Sequence, residues 1–242
     1  MKEDVDRLYE MIERLKGICC QRFAISNWMD LTLEHCHGRQ PYWKECRRGI
    51  YLFFDPYEMR SDGVTHRVVR VGTHSIKNGV GFATLWGRLK QHKGNEAGGG
   101  SHWCSIFRDL VGTALGNRDH NAPECWTDPS VIYKEVKEIE IPHEKRVSEY
   151  IRPLPFVIIK VDPHPDPDNH RKYLETNLIA LLSNFNGRVA TPACTDEPSA
   201  TWLGRYAGNP KVVESGMWNS MDIKTHYDPD FFNLLEHYID RT

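Results

Sequence analysis

The sequence predicts an α/β domain built on a small mixed, largely antiparallel sheet flanked by helices. Two apolar runs rich in β-branched and aromatic residues, 48–54 and 67–72, follow each other with Asp62-Gly63 turn chemistry between them. A third run, 154–161, is continuous rather than alternating, which suits a strand covered on both faces at the centre of a sheet. Around these runs, apolar residues recur at helical spacing.

Composition sets the outer limits. A chain of 242 residues with 40% hydrophobic and 26% charged residues has enough apolar material for one well-buried core with insertions, although length alone leaves two domains open. No run approaches the ~20 apolar residues of a membrane helix, and the first residues lack the apolar centre of a signal peptide. The expectation is a soluble cytoplasmic protein with no membrane partner. Seven cysteines are scattered without a Cys-x-x-Cys pair, which favours reduced, mostly buried thiols. The zinc alternative draws on Cys36, His37 and Cys46 with Cys19 or Cys20, at spacings that match no finger or ribbon.

The net charge of −2 argues against nonspecific coating of nucleic acid, but its distribution is uneven. Residues 66–95 contain no Asp or Glu, while Arg67, Arg70, Lys77, Arg88, Lys90 and Lys93 are all basic. A locally positive surface on a near-neutral protein is what phosphate binding requires.

In chain order, residues 3–16 place Val5, Leu8, Ile12 and Leu15 on one helical face, closed by Gly17. A second helix is expected within 19–34 around Phe23, Trp28 and Leu31, followed by a polar, irregular stretch to 47. Strands at 48–54 and 67–72 come next, the first bounded by Asp55-Pro56; a Gly-containing loop then leads into a helix over 82–92, ended by Gly94. Residues 95–101 form a Gly-rich loop, a candidate substrate flap that lacks the Lys-Ser/Thr ending of a nucleotide-binding loop. A helix over 104–115 follows. Residues 131–141 alternate enough for a strand, with a helix as the alternative, and 154–161 is the third core strand.

Proline at every second position from Pro163 rules out regular structure over 162–168. Asp168 or Asn169 then caps a helix to about residue 184, with Leu174, Leu178, Ile179, Leu181, Leu182 and Phe185 on one arc and Thr176, Ala180, Ser183 and Asn184 opposite. Glu175 falls inside the apolar arc, where a carboxylate costs several kcal/mol unless it is paired or holds a cation. Loop-rich sequence fills most of the remainder. A closing helix from Pro229, capped by Asp228, presents Phe231, Leu234, Leu235 and Tyr238 on one side.

Arg88 and His92 lie one turn apart beside the Leu85/Leu89 stripe. With Gly49-Ile50-Tyr51 in the first strand, Val71-Gly72 ending the second, and Glu175 in Leu-Glu-x-x-Leu-Ile, they form an ordered set that resembles the GIY-YIG endonuclease family; Asn186 resembles a family asparagine. The resemblance divides the chain into an N-terminal helical extension (1–48), a core (49–190) with a large insertion (about 94–152), and a C-terminal extension (191–242) packed on the core, where Trp202-Leu203-Gly204 and Trp218-Asn219 look like an accessory region. One departure stands out: the tyrosine expected two residues before Gly72 is Arg70.

The resemblance implies hydrolysis of DNA, with double-stranded substrate favoured. Tyr51 would orient or deprotonate the water, Arg88 would hold the scissile phosphate, and Glu175 would bind one Mg²⁺ or Mn²⁺ ion. Arg70 would stand beside the phenol as a cation that favours the ionised form of such a group. His92, and at lower rank His74, would relay a proton or touch phosphate. Arg67, Lys77, Lys90, Lys93 and Asn186 are the expected nucleic-acid contacts. A homodimer would suit cutting both strands in restriction, and a monomer would suit repair; mobile-element processing fits as well. The alternative is a catalytically weak nucleic-acid-binding or protein-interaction module on the same fold.

Overall fold

The computed structural model describes residues 1–74, 84–128, 130–161, 169–185 and 196–242. Expectations on Lys77, Asn186, Asp168 and the proline-repeat stretch fall outside these residues.

The strands are β1 (Gly49–Met59), β2 (His66–Thr73) and β3 (Phe156–Lys160), in the order β2-β1-β3 with both pairings antiparallel. β1 therefore occupies the centre, and the run at 154–161 is at the edge of the sheet among the described residues. Its continuous apolar character has a different cause. β3 is overlaid by helix α1 (Lys2–Phe23) and the closing helix, and its outer backbone is met by side chains. The Ile158 amide lies 3.5 Å from Cys19 Sγ, and the Lys160 amide donates to Thr242 Oγ1 at 3.0 Å. β1 also runs through Asp55-Pro56; the register slips between Phe53 and Phe54, where Arg70 and Val68 stand opposite.

α1 continues past Gly17 to Phe23 and ends at Ala24 in the left-handed conformation (φ 54°). A solvent-facing glycine costs about 1 kcal/mol in a helix, less than burying Cys19 and Phe23 on the next turn returns. The helix expected within 19–34 does not form beyond that point. A single 3₁₀ turn at Trp28–Asp30 replaces it, capped by the Asn27 side chain, with Trp28 packed edge-on against Phe54 at 5.0 Å.

The remaining helices are α2 (Tyr42–Glu45), α3 (Leu85–Lys93), α4 (Ile106–Asp119), α5 (Tyr133–Ile151), α6 (His170–Leu182), α7 (Pro210–Ser215) and α8 (Phe231–Ile239). Residues 133–141 are helical, so the strand expected over 131–141 is wrong and its helical alternative holds. The inward face of α5 consists of Val136, Glu140, His143, Glu144, Val147, Ser148 and Ile151, which has helical spacing but is more than half polar. Apolar periodicity could not find a helix whose buried face is a hydrogen-bonded polar cluster. α8 begins at Phe231 rather than Pro229; the Asp228 side chain instead accepts from the Asp230 amide at 3.0 Å. The arc opposite the apolar one is covered too, with Ala180 on α6 and Ser183 and Asn184 just past its end all buried.

The C-terminal segment closes the free edge of β2. Trp218 N–H donates to the Val69 carbonyl at 2.7 Å, and the Asn219 amide both accepts from Val71 N–H (3.1 Å) and donates to its carbonyl (2.8 Å). An edge that would otherwise template pairing with another chain is thus occupied from within. Among the described residues, no helix is long and apolar enough to cross a membrane.

Candidate active site

β1 presents Tyr51 directly opposite Gly72 of β2. A Cβ on residue 72 would sit 2.3 Å from the Tyr51 hydroxyl, so only glycine lets the ring lie across the strand. The hydroxyl is 2.8 Å from His92 Nε2 on α3, and His92 Nδ1 is 2.8 Å from Ser105 Oγ. Ser105 is the N-cap of α4, where its oxygen also accepts from the Arg108 amide. His92 is fully buried; burial first, then Arg70, Arg88 and Arg108, hold its pKa well below the usual histidine value. The imidazole is therefore neutral, with one donor and one acceptor nitrogen.

Arg70 is the other close neighbour of the phenol. Its guanidinium donates to the Trp218 carbonyl and lies 4.6 Å from the Phe107 ring centre. Burial lowers its pKa; the Tyr51 oxygen, a hydrogen-bond acceptor, and the Glu175 carboxylate act to raise it, and Arg88 acts to lower it. Arg70 thus feels Tyr51, Arg88 and Glu175 at once. His92 Nε2 faces the Tyr51 hydroxyl and Nδ1 faces the Ser105 hydroxyl, so each ring nitrogen has a hydroxyl partner.

Arg88, half-buried on α3, donates to Gln91 Oε1 (2.8 Å) and to the Cys104 carbonyl (3.1 Å), and no carboxylate pairs with it among the described residues. Glu175 on α6 has 16% side-chain exposure, and Lys172 Nζ is 3.7 Å from its Oε2. Lys172 also donates to Asp222 Oδ2 at 2.5 Å, so one ammonium bridges two carboxylates. Burial raises the Glu175 pKa, Asp222 adds to the rise, and Lys172 and Arg70 oppose it.

The insertion locks the end of α3 in place. Arg108 donates to the His92 carbonyl (2.8 Å), to Glu144 Oε2 through Nε (2.7 Å) and to Ser148 Oγ (2.9 Å). Arg152 donates to the Lys93 carbonyl at 2.9 Å. The Gly-rich loop expected as a flap is a closed turn here. Asn95 N–H donates to the Gly99 carbonyl at 2.7 Å, and a Cβ on Gly100 would lie 2.2 Å from Arg108 Cζ.

Other expected site residues are placed apart from this cluster. Arg67 is a correction: it is buried against Glu58 (3.0 Å, side chains 4% and 2% exposed) and donates to the Gly216 carbonyl, so it presents nothing to a phosphate. His74 is met by Arg171, whose Nη1 lies 2.7 Å from His74 Nε2. Burial, then Arg171 and Arg48, push its pKa down to about 3. Lys90 is exposed, and Lys93 donates to the Cys36 carbonyl at 2.7 Å. Cys19, Cys36 and Cys46 are buried, and among the described residues no three His, Cys, Asp or Glu side chains gather as a ligand set. Sequence reasoning missed Ser105, Lys172, Asp222 and the Trp218 carbonyl. Only Ser105 left a trace, as a serine just ahead of an apolar-periodic run.

A family model described as GIY-YIG domain matches residues 1–242. No curated protein and no solved structure matches the chain.

Proposed function

The chain belongs to the GIY-YIG domain family, whose members are endonucleases, and on that premise we propose that it is a metal-dependent endonuclease hydrolysing DNA phosphodiester bonds. The observation that carries this reading is the 2.8 Å contact of Tyr51 with a neutral, buried His92. A hydrogen bond from a neutral imidazole fixes where the phenol oxygen points. Tyr51 would orient the attacking water, its hydroxyl positioned by His92 Nε2, whose other nitrogen is backed by Ser105 Oγ. Arg88, with no carboxylate partner among the described residues, would hold the scissile phosphate, and Arg70 would add positive charge beside the developing oxyanion.

Family nucleases use divalent cations, and Glu175 fits that need. It is a half-buried carboxylate whose charge is opposed by burial and favoured by Lys172 at 3.7 Å and by Arg70, so a denser cation in place of the lysine would favour it further. One carboxylate with water and phosphate oxygens is an ordinary Mg²⁺ ligand set. Bound there, the ion would stabilise charge on the phosphate and its leaving oxygen. Lys90 and Lys93 would supply phosphate contacts, and Lys77 and Asn186 are added on the sequence resemblance alone. Paired strands would be cut by a dimer, as restriction requires, or nicked by a monomer, as in repair.

Incubating a supercoiled plasmid with the protein and Mg²⁺ or Mn²⁺ should give nicked and linear products, lost in Tyr51→Phe, Arg88→Ala and Glu175→Gln. A specific observation favours a second reading: Tyr51 is only 1% exposed, which suits a structural tyrosine in a binding module. Binding without cutting, across both metals and with duplex and branched substrates, would establish that module and end the nuclease reading.

A further inference from the structure

An open groove of about 790 Å³ lies beside α3, lined by Gly38, Arg39, Trp86, Lys90, Lys93 and Glu96 among others. Trp86, Lys90 and Lys93 recur at i, i+4 and i+7 and so share one face of the helix, while Arg88 and His92 occupy another. One helix therefore carries the phosphate-binding arginine of the active site and one wall of the groove.

The tryptophan is held as a platform. Its indole is 5.0 Å from that of Trp43 at an interplanar angle of 31°, and a Cβ on Gly38 would sit 2.4 Å from Trp86 Nε1. Gly38 thus lets the backbone press flat against the indole edge. The turn bearing Gly38 and Arg39 is pinned by Trp43 Nε1, which donates to the His37 carbonyl at 3.2 Å, and by the His37 amide, which donates to Gln40 Oε1. Arg39 and Lys90 are exposed, and their charge outweighs that of the single carboxylate of Glu96. Lys93 is partly committed through its bond to the Cys36 carbonyl, and burial lowers its pKa.

We propose that this groove binds an unpaired nucleotide of the nucleic-acid substrate, its base stacked on Trp86 and its phosphates against Arg39 and Lys90. A fixed aromatic ring flanked by mobile cations is the combination that single strands select, because every base has a stacking face and every linkage a charge. A paired base has both faces covered by its neighbours and cannot use the indole. The proposal rests on the nucleic-acid reading above and adds to it that strand separation or a single-stranded flank favours binding.

The test is fluorescence anisotropy with the full chain in EDTA, so that cutting does not enter. The probes are a labelled single strand of about twelve nucleotides and a hairpin duplex of equal charge. Trp86→Ala should weaken the single-strand probe by roughly tenfold and the duplex by less than twofold, while Trp86→Phe should keep most of the affinity. Arg39→Ala and Lys90→Ala, both exposed, should each flatten the salt dependence for the single strand by about 0.7. Equal losses on both probes would indicate backbone contact alone and overturn the stacking site. So would unchanged affinity in Trp86→Ala, or poly-glutamate competing as well as the oligonucleotide. If the unmodified chain binds neither probe, the nucleic-acid reading fails together with the groove; if it binds both and Trp86→Ala is silent, the groove alone fails.

Discussion

The two halves of the candidate site are built on opposite physical principles. The side chains of Tyr51, His92 and Ser105 form an uncharged, buried chain of hydrogen bonds between β1, α3 and α4, with the cations of Arg70 and Arg108 packed beside it. Around Glu175, Lys172 and Asp222 the groups are charged and partly solvated, and they are held by Coulomb attraction. The neutral half is set by two contacts of 2.8 Å on one imidazole. The charged half places one ammonium 3.7 and 2.5 Å from two carboxylates. A positioned hydroxyl needs the first kind of construction and a cation site needs the second.

The largest effect expected is on the scaffold of the neutral half. Arg108→Met removes the guanidinium that holds Glu144, Ser148 and the His92 carbonyl together. It leaves Glu144 (3% exposed) without its cation. Breaking such a pair costs about 3–5 kcal/mol, which for a chain of this size lowers the melting temperature by roughly ten degrees, measurable by calorimetry. A fall of a degree or two would mean that the insertion does not brace α3.

Glu175→Gln should separate function from stability in the charged half. Burial already opposes this carboxylate, so the neutral isostere should melt at the same temperature or higher. Metal-dependent plasmid cutting should fall by roughly 10²–10³-fold. Loss of cutting together with loss of stability would return Glu175 to a structural role.

The same contrast explains what could be read from sequence. Tyr51, Gly72, Arg88 and Glu175 were legible because each is fixed by one element: a strand position, a turn-free glycine opposite a ring, a helix turn, a carboxylate on an apolar arc. The partners that complete the site come from far along the chain. Ser105 belongs to the insertion, and the Trp218 carbonyl and Asp222 to the C-terminal segment, where no local pattern announces them. The central position of β1 and the burial of Arg67 were missed, and the strand was preferred to the helical alternative over 131–141, for a related reason. Each is decided by polar contacts across the fold, which hydrophobic periodicity does not record.

A pH scan tests the neutral half more gently. His92 and His74 both have folded pKa values below the unfolded value of about 6.5, owing first to burial. Below that pH the unfolded chain binds protons that the folded chain refuses, so stability is full above about 6.5 and declines as the pH falls toward the folded values. The melting temperature should therefore drop between about pH 6.5 and 4.5, and His92→Gln should reduce the slope. An unaltered slope would mean that His92 is not held neutral in solution.

The smallest effect on stability is expected at Lys172, which is 39% exposed and bridges Glu175 and Asp222. Pairs this accessible contribute about 0–1 kcal/mol after solvent screening, so Lys172→Ala should leave the melting temperature within a few degrees. Its consequence lies in metal dependence. With the ammonium gone, Glu175 and Asp222 lose the cation that bridges them, and a divalent cation would relieve both. The Mg²⁺ concentration giving half-maximal cutting should fall in Lys172→Ala, and low-salt melting curves should rise with added Mg²⁺ more steeply than those of the unmodified chain. If the metal requirement rises instead, Lys172 helps to place the carboxylate for the ion rather than competing with it.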